Sequence, residues 1–449
     1  MLRPRAARGD RGVVADAVED RRGFLLRFMG RRRWQVATIA VALAALGGIA
    51  FAATGSSASL PTPIVRPAVW HTAVAGSGVR HFEYVFPDGQ MFVYDIDHGF
   101  KLVKRVALPT GDGVRGVAVN PATHTLYLSH GSDAGGGHGS LLAVDLLTDK
   151  VIWDHSYKHG IDSMAINPAG TRIYMPDGEL SSDGVWYVLD AATGNELASI
   201  NTGAGTGDNG PHNTIVGLSG KYVYMGDRNL ASAGSNYFYV ASTATNRVIQ
   251  RVGPLKSGVR PFTVNGRETL AYTTATGFLG FQVSSVVTGK VLYTMTFGPR
   301  FPYDPASFAP SAPSHGISLS PDERQLWVID GPNSYVHVFD VSRVPNKPPR
   351  RVADVKLPHQ LAGSEASCAY DCLRDSWLQH SRSGCYVFVG DTGDVISTRT
   401  DRPVAFLPAM RDSRKMIEVD WRNGQTIATS TRSGIGYVTG APLPRLACR

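Results

Sequence analysis

Six ionisable residues recur about 50 residues apart, and each opens a short apolar segment of the chain. They are Arg115, Asp162, His212, Arg260, His315 and Asp375, with Arg374 as the alternative to Asp375 and Arg80 as a seventh candidate. A guanidinium group can hold an anionic substrate or stabilise an oxyanion, an imidazole can act as a general base, and a carboxylate can orient that imidazole. If the elements of the fold bring these residues together, the sequence predicts a polar ligand or substrate site.

Two of these residues, His212 and His315, also belong to the residue type that most often binds transition metals. The equivalent positions supply no third histidine, so the sequence predicts no metal site and no other cofactor. A metal held by these two imidazoles stays open as an alternative.

Four cysteines lie in the last quarter of the chain. They are Cys368, Cys372, Cys385 and Cys448. An even number in an exported chain favours disulfides, and four cysteines allow three connectivities. A metal site that combines the first three with His380 is the alternative, but the chain has no Cys-x-x-Cys motif that would favour it.

The elements that must position these residues repeat along the chain. One unit reads "VRGVAVNP" from Val114, a turn, and then "TLYL" from Thr125; the next reads "IDSMAINP" from Ile161 and then "RIYM" from Arg172. The aromatic residues of the second segment are Tyr127, Tyr174, Tyr224, Tyr272, Trp327 and Tyr386. A period near 50 residues, with four short strands in each unit, is typical of a β-propeller blade. Six complete units account for residues 114–410.

A seventh blade requires strands from both ends of the chain. Residues 81–86, 91–96 and 102–108 supply three strands, residues 415–421 supply the missing inner strand, and residues 426–429 can add another. Closing the ring in this way removes an open sheet edge. The sequence therefore predicts an all-β, seven-bladed propeller over residues 59–449.

The paired segments resemble the YVTN-repeat family of seven-bladed propellers, in units such as "VAVNPATHTLYLSH" and "ISLSPDERQLWVID". That family is related to the quinoprotein amine dehydrogenases and to the N-terminal domain of nitrous oxide reductase. The resemblance covers nearly the whole chain after residue 58 and implies the fold, but it implies no single activity. A quinone cofactor is a further alternative, since the hairpin that ends at Trp153 is similar to the tryptophan-docking repeat of eight-bladed quinoproteins.

The longest predicted loops all belong to the propeller face on which the inner strands begin. They are residues 129–140, 176–184, 226–236, 203–211, 298–314 and 358–373. Insertions on one face usually mark the binding face of a repeat protein. The sequence therefore predicts that a protein or small-molecule partner binds there, at the mouth of the central channel.

The N-terminal 58 residues have the composition of an export signal or membrane anchor. Residues 1–33 carry ten Arg against four Asp and Glu, and residues 34–53 form an apolar segment without charges. Cleavage predicts a periplasmic, surface or secreted protein, whereas retention of residues 34–53 would anchor the protein in the membrane. Subtracting the net +6 of residues 1–33 from the total of +8 leaves only +2 for the remainder, which argues against nucleic acid as a partner.

Two functions follow as hypotheses from these features. The first is a binding or scaffold module that uses the long-loop face and the central funnel. The second is an enzyme, either an oxidoreductase similar to the heavy chain of amine dehydrogenase or a lactonase. In the enzyme, Arg115 and Arg260 would hold the substrate, and His212 or His315 would act as the base, oriented by Asp162 or Asp375.

Overall fold

The computed structural model describes residues 78–132, 139–158, 160–181, 184–202, 210–228, 236–366, 368–369, 372–430 and 448, all within one compact unit. Within these ranges the chain forms seven antiparallel sheets, six of four strands and one of five. The predicted seven-bladed, all-β propeller is thus confirmed. The predicted signal or anchor, residues 1–58, lies outside the described residues, and no helix in the described ranges is long and apolar enough to cross a membrane.

Each of the six complete blades is a meander of four consecutive strands, in which the first strand is the innermost. Blade 1 comprises β4 (Val114–Asn120), β5 (Thr125–Gly131), β6 (Gly139–Asp145) and β7 (Lys150–Tyr157). Blade 2 comprises β8 (Ala165–Ile166), β9 (Arg172–Pro176), β10 (Val185–Asp190) and β11 (Glu196–Asn201). Blade 3 comprises β12 (Pro211–Val216), β13 (Tyr222–Asp227), β14 (Phe238–Ser242) and β15 (Arg247–Val252).

Blades 4 to 6 follow the same order. Blade 4 comprises β16 (Val259–Val264), β17 (Leu270–Ala275), β18 (Phe278–Ser285) and β19 (Lys290–Thr296). Blade 5 comprises β20 (Ile317–Leu319), β21 (Gln325–Asp330), β22 (Tyr335–Asp340) and β23 (Arg350–Lys356). Blade 6 comprises β24 (Trp377–His380), β25 (Tyr386–Gly390), β26 (Asp394–Ser397) and β27 (Arg402–Phe406). Short 3-10 turns occur at Ile96–His98 and Pro408–Asp412.

The seventh sheet, here called the closing blade, joins the two ends of the described chain. Its strands are β1 (Arg80–Val85), β2 (Gln90–Asp95), β3 (Lys101–Ala107), β28 (Met416–Arg422) and β29 (Gln425–Thr429), in the order β29-β28-β1-β2-β3. β28 occupies the position that the inner strand has in the other blades, and β29, the additional fifth strand, pairs with its remaining edge. The predicted contribution of both chain ends to one blade is therefore confirmed.

The core lies between neighbouring blades. All seven residues of the inner strand β4 are buried, whereas the outer strand β27 alternates between exposed and half-buried residues, as expected for a sheet edge with one face toward solvent. The aromatic residue of each second strand is anchored between blades. Tyr127, for example, packs with Met164 and Ile173 of the next blade and donates a hydrogen bond to the carbonyl of Ala191 at 2.9 Å.

The aromatic anchor of blade 6 differs from the prediction. Phe388 is fully buried and pairs with inner-strand residue Gln379, whereas Tyr386 lies at the start of β25 and is half-buried. These two aromatic residues are two positions apart, so they point to the same face of the strand and either fits the sequence pattern.

All four cysteines form disulfides, which excludes the alternative metal site at these residues. Cys368 pairs with Cys372, and Cys385 pairs with Cys448. The second bond ties the start of strand β25 to a residue close to the C-terminus.

Candidate functional site

Strand register places five of the six predicted residues at one equivalent position. In each of these five blades, one residue of the inner strand pairs with the buried aromatic anchor of the second strand, and the predicted residue lies three positions before that inner-strand residue. The pairs are Ala118 with Tyr127, Ala165 with Tyr174, Ile215 with Tyr224, Thr263 with Tyr272, and Ser318 with Trp327. Arg115, Asp162, His212, Arg260 and His315 thus stand at the same height at the mouth of the central channel. All five are buried.

The sixth and seventh positions differ from the prediction. In blade 6 the equivalent residue is Ser376, one residue after Asp375, because Gln379 is the partner of Phe388. In the closing blade the equivalent residue is Arg414, because Ile417 pairs with Tyr84. Arg80 was the wrong choice: it pairs with Trp421 near the opposite end of β28 and forms an ion pair with Asp95.

Asp162 and His212 form a hydrogen-bonded pair inside this ring. The Nδ1 of His212 lies 2.7 Å from Oδ2 of Asp162, whose Oδ1 accepts the amide of Ser163 at 2.6 Å. Although burial opposes it, the imidazole of His212 holds the pKa of Asp162 below its usual value, so this carboxylate is ionised. An ionised carboxylate can only accept, so Nδ1 of His212 carries the proton. The other ring nitrogen, Nε2, is buried and has no hydrogen-bond partner in the part of the chain that the structure describes.

A loop residue, Glu179, lies beside this pair and contacts several positively charged side chains. Its carboxylate accepts from Arg260 at 2.6 Å, contacts Arg228 at 3.2 Å and lies 3.8 Å from Nδ1 of His212. Burial acts to raise the pKa of Glu179, but these cations and Arg115 hold it below its usual value. Glu179 therefore provides a second negative charge beside that of Asp162.

The guanidinium of Arg260 is held on all three of its nitrogens. Besides Glu179, it donates to Thr276 at 2.9 Å and to Ser311 at 2.5 Å. In this structure Arg260 therefore orients Glu179, and it is not the open anion-binding group that the sequence predicted.

His315 lies opposite His212, with 6.1 Å between the ring centroids. Its Nδ1 is 3.0 Å from the carbonyl oxygen of Ser376 and 3.3 Å from Oδ1 of Asp375. Burial lowers the pKa of His315 to about 4, against the opposing effect of Asp375 and with further lowering by Arg260. The ring is therefore neutral at pH 7, with the proton on Nδ1 and a lone pair on Nε2.

Asp375 is also tied to the closing blade. Arg414 donates to its Oδ1 at 2.8 Å and contacts Glu365 at 3.4 Å. Asp391 accepts the amides of Asp375 and Ser376, both at 2.9 Å, and so fixes the start of β24. Burial raises the pKa of Glu365 and of Asp391.

Sequence reasoning missed Glu179, Arg414 and Asp391. A signal was available for Asp391, because in four blades an aspartate lies three residues after the aromatic anchor, at the end of the second strand or directly after it. They are Asp177, Asp227, Asp330 and Asp391. Glu179 has no such signal, since it lies in a loop without an equivalent in the other blades.

The described connections agree with the prediction that the long loops lie on one face. Residues 297–316 and 357–376 connect blades on the face where the inner strands begin, whereas turns such as 121–124 and 167–171 on the other face are short. The predicted loops 129–140, 176–184, 203–211, 226–236 and 358–373 lie partly outside the described residues. The binding role of this face stays a prediction.

A separate hollow lies at the other end of the channel. It is lined mostly by apolar residues near the ends of the inner strands, including Val119, Ile166 and Val216, and by Thr429 and Ser430 at the end of β29. None of the predicted site residues contributes to it. The predicted site residues therefore lie only at the mouth where the inner strands begin. This mouth, lined by Arg115, Asp162, His212, Arg260 and His315, is here called the funnel.

Comparison with known proteins adds little to this description. No family model and no curated protein matches the chain. Among solved structures, hydrazine synthase from Kuenenia stuttgartiensis is similar with a TM-score of 0.46 and 14% identity, over 75% of this chain and 90% of that one. The fold assignment therefore rests on the sheet topology of the chain itself.

Proposed function

We propose that this chain is an exported or membrane-anchored, YVTN-like propeller that acts as a binding module for a small polar molecule at the funnel. The observation that carries the proposal is Nε2 of His212, a buried ring nitrogen that has no hydrogen-bond partner among the described residues. A buried polar atom left in this state costs about 1–3 kcal/mol, which a hydrogen bond to a bound ligand would recover.

The surroundings of this atom define the ligand. The neutral His315 ring, 6.1 Å from the His212 ring between centroids, offers an acceptor, and Glu179 and Asp162 add negative charge next to His212. These groups favour a ligand that carries hydroxyl or ammonium donors. The two disulfides support an extracytoplasmic location, because such bonds persist in oxidising compartments.

The proposal is tested with the purified full chain and four probes, lactate, glycine, putrescine and glucose, which represent hydroxy acids, amino acids, amines and sugars. At a concentration well above its Kd, a probe that binds is expected to raise the thermal unfolding midpoint by a few degrees. The His212→Asn variant can keep a donor to Asp162 but lacks Nε2, so the shift should disappear. His98→Ala, an exposed histidine on the closing blade, is the matched control and should keep the shift.

Equal shifts in wild type and His212→Asn would contradict this assignment, because the probe would then bind elsewhere. The absence of a shift with all four probes would contradict the ligand class.

A lactonase or related hydrolase is the second candidate, favoured by the 2.7 Å contact between Asp162 and His212. An imidazole oriented by a carboxylate is the usual arrangement of a general base, which contributes about 10²–10⁴-fold to a rate. Lactone hydrolysis followed by pH-stat should fall by that factor in His212→Asn and stay unchanged in His98→Ala. A rate equal in wild type and His212→Asn would exclude this function.

A further inference from the structure

The closing blade carries four ionisable side chains on one face, at the end remote from the funnel. Strand register places His81 opposite Asp420 and Glu83 opposite Glu418, on the neighbouring strands β1 and β28. Residues directly opposite, and residues two apart on one strand, share a face of the sheet. Three of the four are acidic and three are buried, so this face concentrates carboxyl groups where β1 meets β28.

Three of these side chains are close enough to bind one ion. One imidazole nitrogen of His81 and one carboxylate oxygen each of Glu418 and Asp420 lie within 4.8 Å of one another. Ligand bonds to zinc are about 2.0–2.2 Å long, so small side-chain rotations bring all three atoms to a single ion.

Protein donors satisfy only part of this cluster. Arg382 forms an ion pair with Oδ2 of Asp420, and its amide donates to Oε2 of Glu418 at 2.6 Å. Oδ1 of Asp420 and Oε2 of Glu83 are buried and have no hydrogen-bond partner within the described ranges of the chain. Two carboxylate oxygens buried without donors point to a cation at this position, since such atoms are costly unless they are paired or coordinate a metal.

His81 is oriented in the manner of a metal ligand. Its Nδ1 is 2.9 Å from Oδ1 of Asp97, and its amide donates to Oδ2 of the same carboxylate at 2.9 Å. Metal-binding histidines usually donate their second ring nitrogen to a carboxylate in this way, which leaves Nε2 for the ion. The side chain of His81 is 36% exposed, so an ion can enter from solvent.

We propose that His81, Glu418 and Asp420 bind one divalent transition-metal ion, of the Mn²⁺ or Zn²⁺ class, that links β1 to β28. A set of one imidazole and two carboxylates suits these ions better than Mg²⁺ or Ca²⁺, which prefer oxygen ligands alone. The site is independent of the funnel, and its role is to fasten the two chain ends together where the ring closes.

The test uses the full chain after treatment with a chelator. Titration with Mn²⁺, followed by electron paramagnetic resonance, should show one bound ion per chain with a spin-echo modulation from a histidine nitrogen. His81→Ala should abolish this modulation and weaken binding at least about tenfold. His98→Ala is the matched control, because this histidine lies on the same blade and contacts a carboxylate, Asp95, at 3.0 Å, but lies outside the cluster. It should bind as wild type does. Zn²⁺ should compete for the same site in calorimetry.

Two outcomes would overturn the proposal. One is the absence of Mn²⁺ and Zn²⁺ binding at about 100 µM, because a titration at this concentration would reveal even a site that binds its ion more weakly than ordinary protein metal sites do. The other is binding that survives His81→Ala and is lost in His212→Asn, which would place the ion at the funnel, where Asp162, Glu179 and His212 also lie within 4.8 Å. His81 is partly exposed, so its truncation should not prevent folding. Asp420→Asn gives a second, independent loss of binding.

Discussion

Replacing Arg260 with methionine tests whether the funnel depends on compensation of a buried charge. The guanidinium of Arg260 is 3% exposed and the carboxylate of Glu179 is 12% exposed, so the pair lies almost entirely out of water. Arg260→Met leaves Glu179 ionised with Arg228 as its remaining direct guanidinium partner. Removal of one member of a buried ion pair costs about 3–5 kcal/mol. Because Arg228 stays in place, we expect the lower end, about 3 kcal/mol of the free energy of unfolding.

Urea denaturation with the disulfides intact measures this loss in the free energy of unfolding. Two further variants show whether the loss comes from the uncompensated charge of Glu179. Glu179→Gln combined with Arg260→Met should be more stable than Arg260→Met alone, because the double variant contains no uncompensated carboxylate at this position. Arg350→Met is the control: its pair with Asp340 is 3.4 Å long and Arg350 is 74% exposed, so the loss should stay below about 1 kcal/mol. A loss in Arg260→Met equal to that of Arg350→Met, or a double variant that is no more stable than Arg260→Met, would refute the reasoning.

Two other predictions concern pH and the disulfides. The pKa of His315 is lowered to about 4 in the folded protein. The unfolded chain therefore binds more protons between about pH 6.5 and 4, and the free energy of unfolding falls as the pH decreases through this window. His315→Gln should flatten this part of the stability profile relative to wild type, and nitrogen NMR that shows His315 titrating near 6.5 would contradict the prediction. The Cys385–Cys448 bond spans 63 residues and the Cys368–Cys372 bond spans 4. Chain entropy therefore predicts that replacement of the first pair by serine lowers the free energy of unfolding by about 4 kcal/mol, and replacement of the second pair by about 2 kcal/mol. Urea denaturation should give this order, and the reverse order would contradict the entropic argument.

The sequence was sufficient for the blades because each blade repeats the same hydrophobic alternation and the same turn chemistry. It also placed Asp162 and His212 correctly relative to each other, since both occupy the same position of adjacent repeats. The error at Asp375 arose where the repeat lengthens: with Tyr386 and Phe388 both available as the anchor, spacing alone could not fix the register of β24.

The missed residues have a different physical origin. Arg414 was within reach, because the inner strand of the closing blade was correctly expected near residue 415 and its first residues should then complete the ring. Glu179 was out of reach, because a loop side chain that crosses to another blade is placed by three-dimensional packing and leaves no periodic trace in the sequence.

The closing blade has a consequence for the order of events during synthesis. β1 pairs on one side with β2, which follows within a few residues, and on the other side with β28, which the ribosome adds only after residues 86–415. At about 5–20 residues per second, this interval is on the order of 20–70 s. Throughout it, β1 presents an unpaired edge that can hydrogen-bond to a strand of another chain. A product that terminates before residue 416 retains that edge permanently, so premature termination yields a species prone to association.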